Sequence, residues 1–246
     1  MGDIWIFVLI GFLAQIVDGA LGMAFGVIST SALLAFGVAP AAASAMTHVA
    51  EIFTTAASGA SHAAQRNIDW RIVIRLAPAG MIGGVIGAYV LSNIDAGVAK
   101  PFILAYLTGI GVYLLWRSRH YPPVEKSPKV VEPLGLAGGF LDAAGGGGWG
   151  PVVTSNLLVQ GSAPRTTIGT VNTAEFFVTS TISATFIAHL GWEAFTHATV
   201  GLLIGGVLAA PLGALLAKRI EAKTLMLFVG IVLIATSAYN LVIALR

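Results

Sequence analysis

The feature that most constrains this chain is a long apolar run from Ile4 to Phe36. The run has 33 residues, so a straight helix would be about 50 Å long at 1.5 Å per residue. The hydrocarbon core of a bilayer is only about 30 Å thick, and tilt does not absorb such an excess. Within the run, VDGALGMAFG (Val17 to Gly26) contains one carboxylate and three glycines. The sequence therefore predicts a broken helix, which either continues across the membrane or turns back as a re-entrant hairpin.

The overall composition places the chain among helical membrane proteins. It is 57% hydrophobic and 10% charged, whereas soluble domains carry about 25% charged residues. The net charge of +2 is typical of basic loops retained in the cytoplasm, and is no signal for nucleic acid. The absence of cysteine excludes disulfides, thiol catalysis and thiolate metal sites. We expect an all-α polytopic membrane protein.

The chain consists of two halves with similar sequences. When Asp18–Phe53 is compared with Asp142–Phe177, 14 of 36 positions are identical, and the matches include an aspartate, a proline and a glutamate. A proline-rich polar linker separates the halves. The predicted organisation is repeat 1 over residues 1–117 (broken helix 4–36, spans 41–63, 72–92 and 99–117), a cytoplasmic linker over 118–132, and repeat 2 over 133–246 (broken helix 133–160, spans 166–190, 195–217 and 223–245).

The distribution of Lys and Arg favours the hairpin model. If both broken segments cross the membrane, the basic residues divide eight against five between the two faces. If both turn back, only Lys100 and Arg246 oppose the other eleven, which is a strong positive-inside pattern. Each half then has one hairpin and three spans. We therefore predict that the repeats are inverted and that both termini lie outside.

The broken helices are the first candidate binding site. A chain that turns inside the membrane frees N–H groups at the start of the returning helix, and such an end attracts anions. The predicted donors are the backbones of five glycines: Gly19, Gly22, Gly145, Gly146 and Gly147. Asp18 and Asp142 have two possible roles, as N-caps of the returning helices or as ion ligands, and capping is favoured. Close helix packing is the alternative explanation of the glycines.

Polar residues in the next span form a second candidate cluster. Glu51 and Glu175 are equivalent in the two halves, as are His48 and Asn172. Ionisable groups inside spans usually face a cavity, so the glutamates either handle protons or stabilise freed backbone groups. A zinc site is not expected, because H-x-x-E supplies only two ligands. The remaining candidate substrate ligands are Thr30, Ser31, Ser155, Asn156 and Thr173.

Taken together, these motifs resemble those of the TauE/SafE sulfite exporter family. D-G-x-x-G-x-x-x-G at Asp18 and D-x-x-x-G-x-x-x-G at Asp142 are each followed by G-x-A-P. The resemblance implies a multi-pass permease of the bacterial cytoplasmic membrane that moves small sulfur-containing anions such as sulfite, sulfonates or sulfoacetate. Ala143 replaces the glycine found at position 19 of the first motif, so the two hairpins are expected to be unequal.

The functional prediction is a secondary transporter of a small anion that works by alternating access, with proton coupling as an added hypothesis. The alternatives are a channel for an anion or small solute, and a carrier of small organic carboxylates. No nucleophile–base pair supports an enzyme, and no cofactor or metal is expected. The expected partners are the anion and the lipid bilayer, without nucleic acid, and a homodimer is compatible with the sequence.

Overall fold

The computed structural model describes residues 4–119, 127–160, 162–216 and 222–244. Within these ranges all regular structure is helical and no strand is present, which confirms the predicted fold class. The helices are α1 (Ile4–Leu21), α2 (Phe25–Ala35), α3 (Pro40–Ala64), α4 (Trp70–Asn93), α5 (Ala96–Arg119), α6 (Glu132–Gly145), α7 (Ser155–Val159), α8 (Pro164–Leu190), α9 (His197–Leu216) and α10 (Ala222–Ala244), with a π-helical turn at Trp149–Thr154 and a 3₁₀ turn at Trp192–Ala194.

Polar residues lie inside this bundle and large apolar residues lie outside it. Buried polar side chains include Asp18, His48 and Glu51, whereas Phe102 and Ile74 are 74% and 68% exposed. A lipid-facing surface explains this distribution, because lipid solvates apolar side chains and not charged ones. Helices α4 and α5 are also long and apolar enough to cross a bilayer.

Local sequence signals set several helix ends. Asp69 caps α4, since its Oδ1 accepts hydrogen bonds from the N–H groups of Arg71 (2.9 Å) and Ile72 (3.4 Å). Pro40 and Pro164 occupy the first positions of α3 and α8, where the missing N–H has no cost. Pro40 and Pro164 therefore begin α3 and α8, the two helices that carry the predicted polar cluster, and Asp69 caps the start of α4.

The first apolar run breaks at the predicted place and the chain then reverses. Helix α1 ends at Leu21, Gly22 adopts a positive φ of 64°, and α2 begins at Phe25. The ring of Phe36, just after α2, packs on the ring of Phe7 near the start of α1, with 5.4 Å between centroids. A chain that continued across the membrane would separate these rings by the length of both helices.

The second half reverses in the same way. The segment that leads back from each break is here called the returning arm, and in the second half it differs from α2. Gly146 and Gly147 have positive φ angles of 69° and 143° at the end of α6. The side chain of Gln160, after α7, accepts hydrogen bonds from the N–H groups of Lys129 and Val130, both at 2.9 Å, so the two ends of the hairpin meet. The first turn of the returning arm is π-helical, which the sequence did not predict.

Helices of the first half pack against helices of the second half. Helix α1 packs along α9, and α6 of the second half packs along α4 of the first. Arg75 on α4 makes a two-point ion pair with Glu132 on α6, at 2.6 and 2.9 Å. Helices α3 and α8, which carry Glu51 and Glu175, pack on each other. Both of these helices also contact the segments around the breaks.

Candidate functional site: a small cavity between the two helix breaks

The two helix breaks contact each other backbone to backbone. A Cβ atom on Gly26 would lie 2.9 Å from the Cα of Gly147, and a Cβ on Gly150 would overlap the backbone of Met23. The hydroxyl of Thr154, in the second returning arm, donates a 3.0 Å hydrogen bond to the carbonyl of Gly22 in the first break. The glycines therefore permit an approach that any side chain would prevent.

A small cavity lies where the breaks meet. The space in it that is open to the centre of a water molecule is about 10 Å³, which is room for about one water. The walls come from both breaks and from α3 and α8. The lining residues are Asp18, Met23, Ala24, Gly26, Val27, Glu51, Asp142, Gly147, Gly148, Gly150, Pro151 and Glu175.

Both aspartates cap the returning arms. Oδ1 of Asp18 accepts hydrogen bonds from the N–H groups of Ala24 (2.8 Å) and Phe25 (3.3 Å). Oδ1 of Asp142 does the same for Gly148 (2.8 Å) and Trp149 (3.0 Å). Several of the N–H groups freed by the breaks are therefore already bonded to an internal carboxylate, which occupies the position that helix ends offer to anions.

Some N–H groups at the start of α2 are not capped by Asp18. A helix leaves its first four N–H groups without a partner inside the helix. In α2 the aspartate caps the first two, and Gly26 and Val27, which line the cavity, supply the next two. Gly150 contributes a lining backbone on the opposite side.

The first-half histidine joins the second break to α3. Nε2 of His48 lies 3.2 Å from Oδ2 of Asp142 and 4.0 Å from Oε2 of Glu51. Nδ1 of His48 lies 2.7 Å from the carbonyl oxygen of Ser44, one turn earlier on α3. Oε2 of Glu51 is buried and has no hydrogen-bond partner.

The cavity is acidic. Four carboxyl groups line it, from Asp18, Glu51, Asp142 and Glu175, and each of these residues is at most 7% exposed. Unpaired buried charges cost several kcal/mol each, and like charges at short range add to that cost. Ionising all four together would place like charges at short range in a buried space, which is unfavourable unless protons or other positive charge compensate them.

The sequence matches a known family model over nearly its whole length. The model of the sulfite exporter TauE/SafE family matches residues 7–240. The chain belongs to that family. A Bacillus subtilis (strain 168) protein described as "Probable membrane transporter protein YtnM" is 44% identical over 251 aligned positions, covering 98% of this chain and 84% of the relative. No solved structure matches the chain. The family and this relative support a membrane transporter.

In this TauE/SafE family protein, the breaks bring together only part of the predicted site. Asp18, Glu51, Asp142, Gly147 and Glu175 line the cavity, and His48 contacts it through Asp142. The other predicted residues lie around it. Gly19 belongs to the last turn of α1, Gly22 accepts from Thr154, and Gly145 and Gly146 pack against Tyr106 and Thr30.

Several predicted side-chain ligands face other partners. Thr30 donates to Thr47, and Ser31 pairs with Ser237 on α10 at 3.2 Å. Thr173 donates to its own helix. Asn172 donates to Ser58 at 2.7 Å, while its Oδ1 is buried without a partner. Asn156 is exposed and donates to the carbonyl of Val152, so it does not reach the cavity. The side chain of Ser155 lies outside the described residues.

The structure also adds residues that the site prediction omitted. Gly26 and Gly150 line the cavity, and their identity between the two halves was the available signal. Tyr106 on α5 was missed entirely. Its buried hydroxyl has no hydrogen-bond partner and lies against Gly148. No repeat or motif marks Tyr106, so only the tertiary packing identifies it.

Proposed function

We propose that this protein is a secondary transporter of a small anion, with sulfite, sulfonates and sulfoacetate as the first class of substrate. The proposed mechanism is alternating access, with protons moving in the same cycle. The observation that carries the proposal is the meeting of two helix breaks at a small, acidic cavity lined by Gly26, Val27 and Gly150. Small organic carboxylates present similar oxygen acceptors and belong in the same test.

The small volume of the cavity favours a carrier over a channel. A channel needs a continuous pathway, whereas the central space is only about 10 Å³. Sulfite has four heavy atoms and does not fit a space for about one water. The two breaks have to separate before an anion can enter, and a site that opens and closes around its substrate is the property of a carrier.

The four carboxyl groups make proton coupling a physical requirement of this proposal. An anion that enters beside ionised Asp18, Glu51, Asp142 and Glu175 would be repelled by each of them. Protonation removes that repulsion, and it also weakens the hold of the aspartates on the capped N–H groups. The anion and the protons would therefore occupy the site together.

We further propose inverted repeats in the cytoplasmic membrane, crossed several times, with both termini outside. Contacts at the helix ends support the inversion. Phe36 returns to Phe7, and Gln160 returns to Val130, so each hairpin enters and leaves on one side. Each half then has three long helices, and an odd number of crossings reverses the second half relative to the first.

Uptake by reconstituted liposomes tests the proposal. The purified full chain would be challenged with sulfite, sulfate, thiosulfate, sulfonates and carboxylates, with and without an imposed pH gradient. We expect saturable uptake of at least one sulfur-containing anion, stimulation by the same anion inside, and a response to the gradient. Conductance without saturation would indicate a channel. Uptake of carboxylates alone would reject the sulfur-anion assignment, and transport of none of these anions would reject the proposal.

A further inference from the structure

The hydrogen bonds of His48 determine where a proton must lie. The carbonyl oxygen of Ser44 can only accept, so Nδ1 of His48, 2.7 Å away, carries a hydrogen and donates it. The hydroxyl of Ser44 donates to the carbonyl of Ala143 at 2.7 Å, so its oxygen, 3.3 Å from Nδ1, is also an acceptor there. A neutral imidazole with Nδ1 protonated has a bare lone pair on Nε2.

That lone pair faces a carboxyl group. Nε2 of His48 and Oδ2 of Asp142 are 3.2 Å apart. A neutral imidazole and an ionised carboxylate would both present lone pairs there and would repel each other. The observed distance therefore requires one further proton on the pair, as imidazolium beside carboxylate or as imidazole beside carboxylic acid.

The pair also joins two structural units. His48 and Ser44 belong to α3 of the first half, whereas Asp142 and Ala143 belong to the break of the second half. The aspartate uses its other oxygen to cap that break. The equivalent residue in the second half is Asn172, which has no titratable group and donates to Ser58 instead. The two halves are thus unequal at this point.

We propose that the proton shared by His48 and Asp142 is the coupling proton, and that it holds the second helix break closed against α3. This inference rests on the transport function proposed above. When the proton leaves, Nε2 and Oδ2 repel each other at short range, and α3 separates from the break. Glu51 is the acceptor through which the proton leaves, because its unpartnered Oε2 lies 4.0 Å from Nε2.

Other ionisable groups face this pair and set its surroundings. Asp18 and Glu175 line the same cavity from α1 and α8, and the hydroxyl of Tyr106 approaches from α5. None of them bonds to the ring of His48, whose partners are Ser44 and Asp142. The phenyl ring of Phe186 covers the imidazole from α8, with 6.3 Å between centroids. The imidazole is fully buried, so Glu51 and Asp142 are its nearest proton-transfer partners.

Two substitutions test the proton shared by His48 and Asp142 separately from the capping role of Asp142. In Asp142→Asn, the amide oxygen still caps Gly148 and Trp149, and the amide N–H₂ donates permanently to Nε2 of His48. His48→Asn removes the ring and introduces the residue already present at position 172. Asp95→Asn is the matched control, because Asp95 also accepts from two helix N–H groups, those of Gly97 (2.8 Å) and Val98 (3.3 Å), and lies outside the cavity without a histidine partner.

Nitrogen NMR of the full chain in liposomes tests the proton site without any substrate. With ¹⁵N-labelled histidine, His48→Asn identifies the signals of His48 among the five histidines. We expect Nδ1 to carry a hydrogen at every pH, and Nε2 to carry or share one until the pair deprotonates. Asp142→Asn should remove the titration of Nε2, and Asp95→Asn should retain it. A bare Nε2 between pH 5 and 9 in the unaltered protein would overturn the proposal.

The pH profile of anion uptake tests the coupling. A one-proton equilibrium gives up to about a tenfold change in rate per pH unit. We expect Asp142→Asn and His48→Asn to flatten this to less than about twofold between pH 6 and 8, and Asp95→Asn to retain the slope. Equal flattening in all three variants, or an unchanged slope in His48→Asn, would refute the assignment. If the unaltered protein moves no anion, the proposed function fails, and the NMR experiment still decides the proton site.

Discussion

Gly147 provides the sharpest test of how the two helix breaks pack. Its φ of +143° lies outside the region that L-residues adopt. A Cβ there would lie 2.5 Å from the carbonyl carbon of Gly26 and 2.9 Å from the Cα of Val27. These are backbone atoms of the opposite break and cannot rotate away. Gly147→Ala therefore imposes both backbone strain and a backbone displacement.

The two costs can be given magnitudes. An unfavourable φ costs about 1–3 kcal/mol, and overpacking that shifts backbone costs about 1–3 kcal/mol. The free energy of unfolding should fall by roughly 2–6 kcal/mol if the breaks stay in contact. At about 2–4 °C per kcal/mol for a chain of this size, the apparent Tm should fall by roughly 4–24 °C.

Three control glycines separate the two costs. Gly37 has a φ of +83° and no atom within 4 Å of the place that a Cβ would occupy, so Gly37→Ala adds strain without a clash. Gly26 has an ordinary φ and tight contacts, so Gly26→Ala adds a clash without strain. Gly109, within α5, has neither, and Gly109→Ala should be neutral or slightly stabilising.

Thermal unfolding in detergent, followed by intrinsic tryptophan fluorescence, measures all four variants. The expected order of apparent Tm is Gly109→Ala highest, Gly37→Ala and Gly26→Ala intermediate, and Gly147→Ala lowest. Gly147→Ala should also abolish anion uptake, because the cavity wall is displaced. If Gly147→Ala costs no more than Gly37→Ala, the breaks are not in contact and the proposed site is wrong.

Three further predictions concern the centre and the faces of the bundle. Glu51→Gln should fold and transport but lose part of its pH dependence; a pH profile like that of the unaltered protein would exclude a proton-handling role. Thr154→Val should lower the free energy of unfolding by about 1–3 kcal/mol, measured from the apparent Tm, because it leaves a buried carbonyl of the first break without its donor. Ser127→Cys and Ser162→Cys should react with an impermeant maleimide from the same face, since both residues line one cavity of about 410 Å³; labelling from opposite faces would contradict the hairpin topology.

Part of the site could be predicted because its signals are local. Glycines at matched positions, such as Gly22 and Gly146, identify where helices end, since few other residues adopt their backbone conformations. The caps by Asp18 and Asp142 also depend on residues only six or seven positions away. Short-range chemistry of this kind follows from the order of residues alone.

The convergence of polar side chains could not be predicted in the same way. Hydroxyl groups in membrane helices form hydrogen bonds either with their own backbone or with a neighbouring helix, and the sequence does not indicate which. Thr30 and Ser31 are adjacent, yet they bond to α3 and α10. Tyr106 carries no pattern at all and still lies against the second break.

By itself, the sequence determined the helical membrane class, the two halves and the places where the first helix of each half breaks. These follow from hydrophobic length, composition and glycine, which act within a few residues. Only the tertiary structure decided that the breaks touch and that four carboxyl groups share one small cavity. It also placed His48 on Asp142, 94 positions away in the chain. Such contacts depend on helix packing between the halves, where small residues allow close approach and buried polar groups have to find partners.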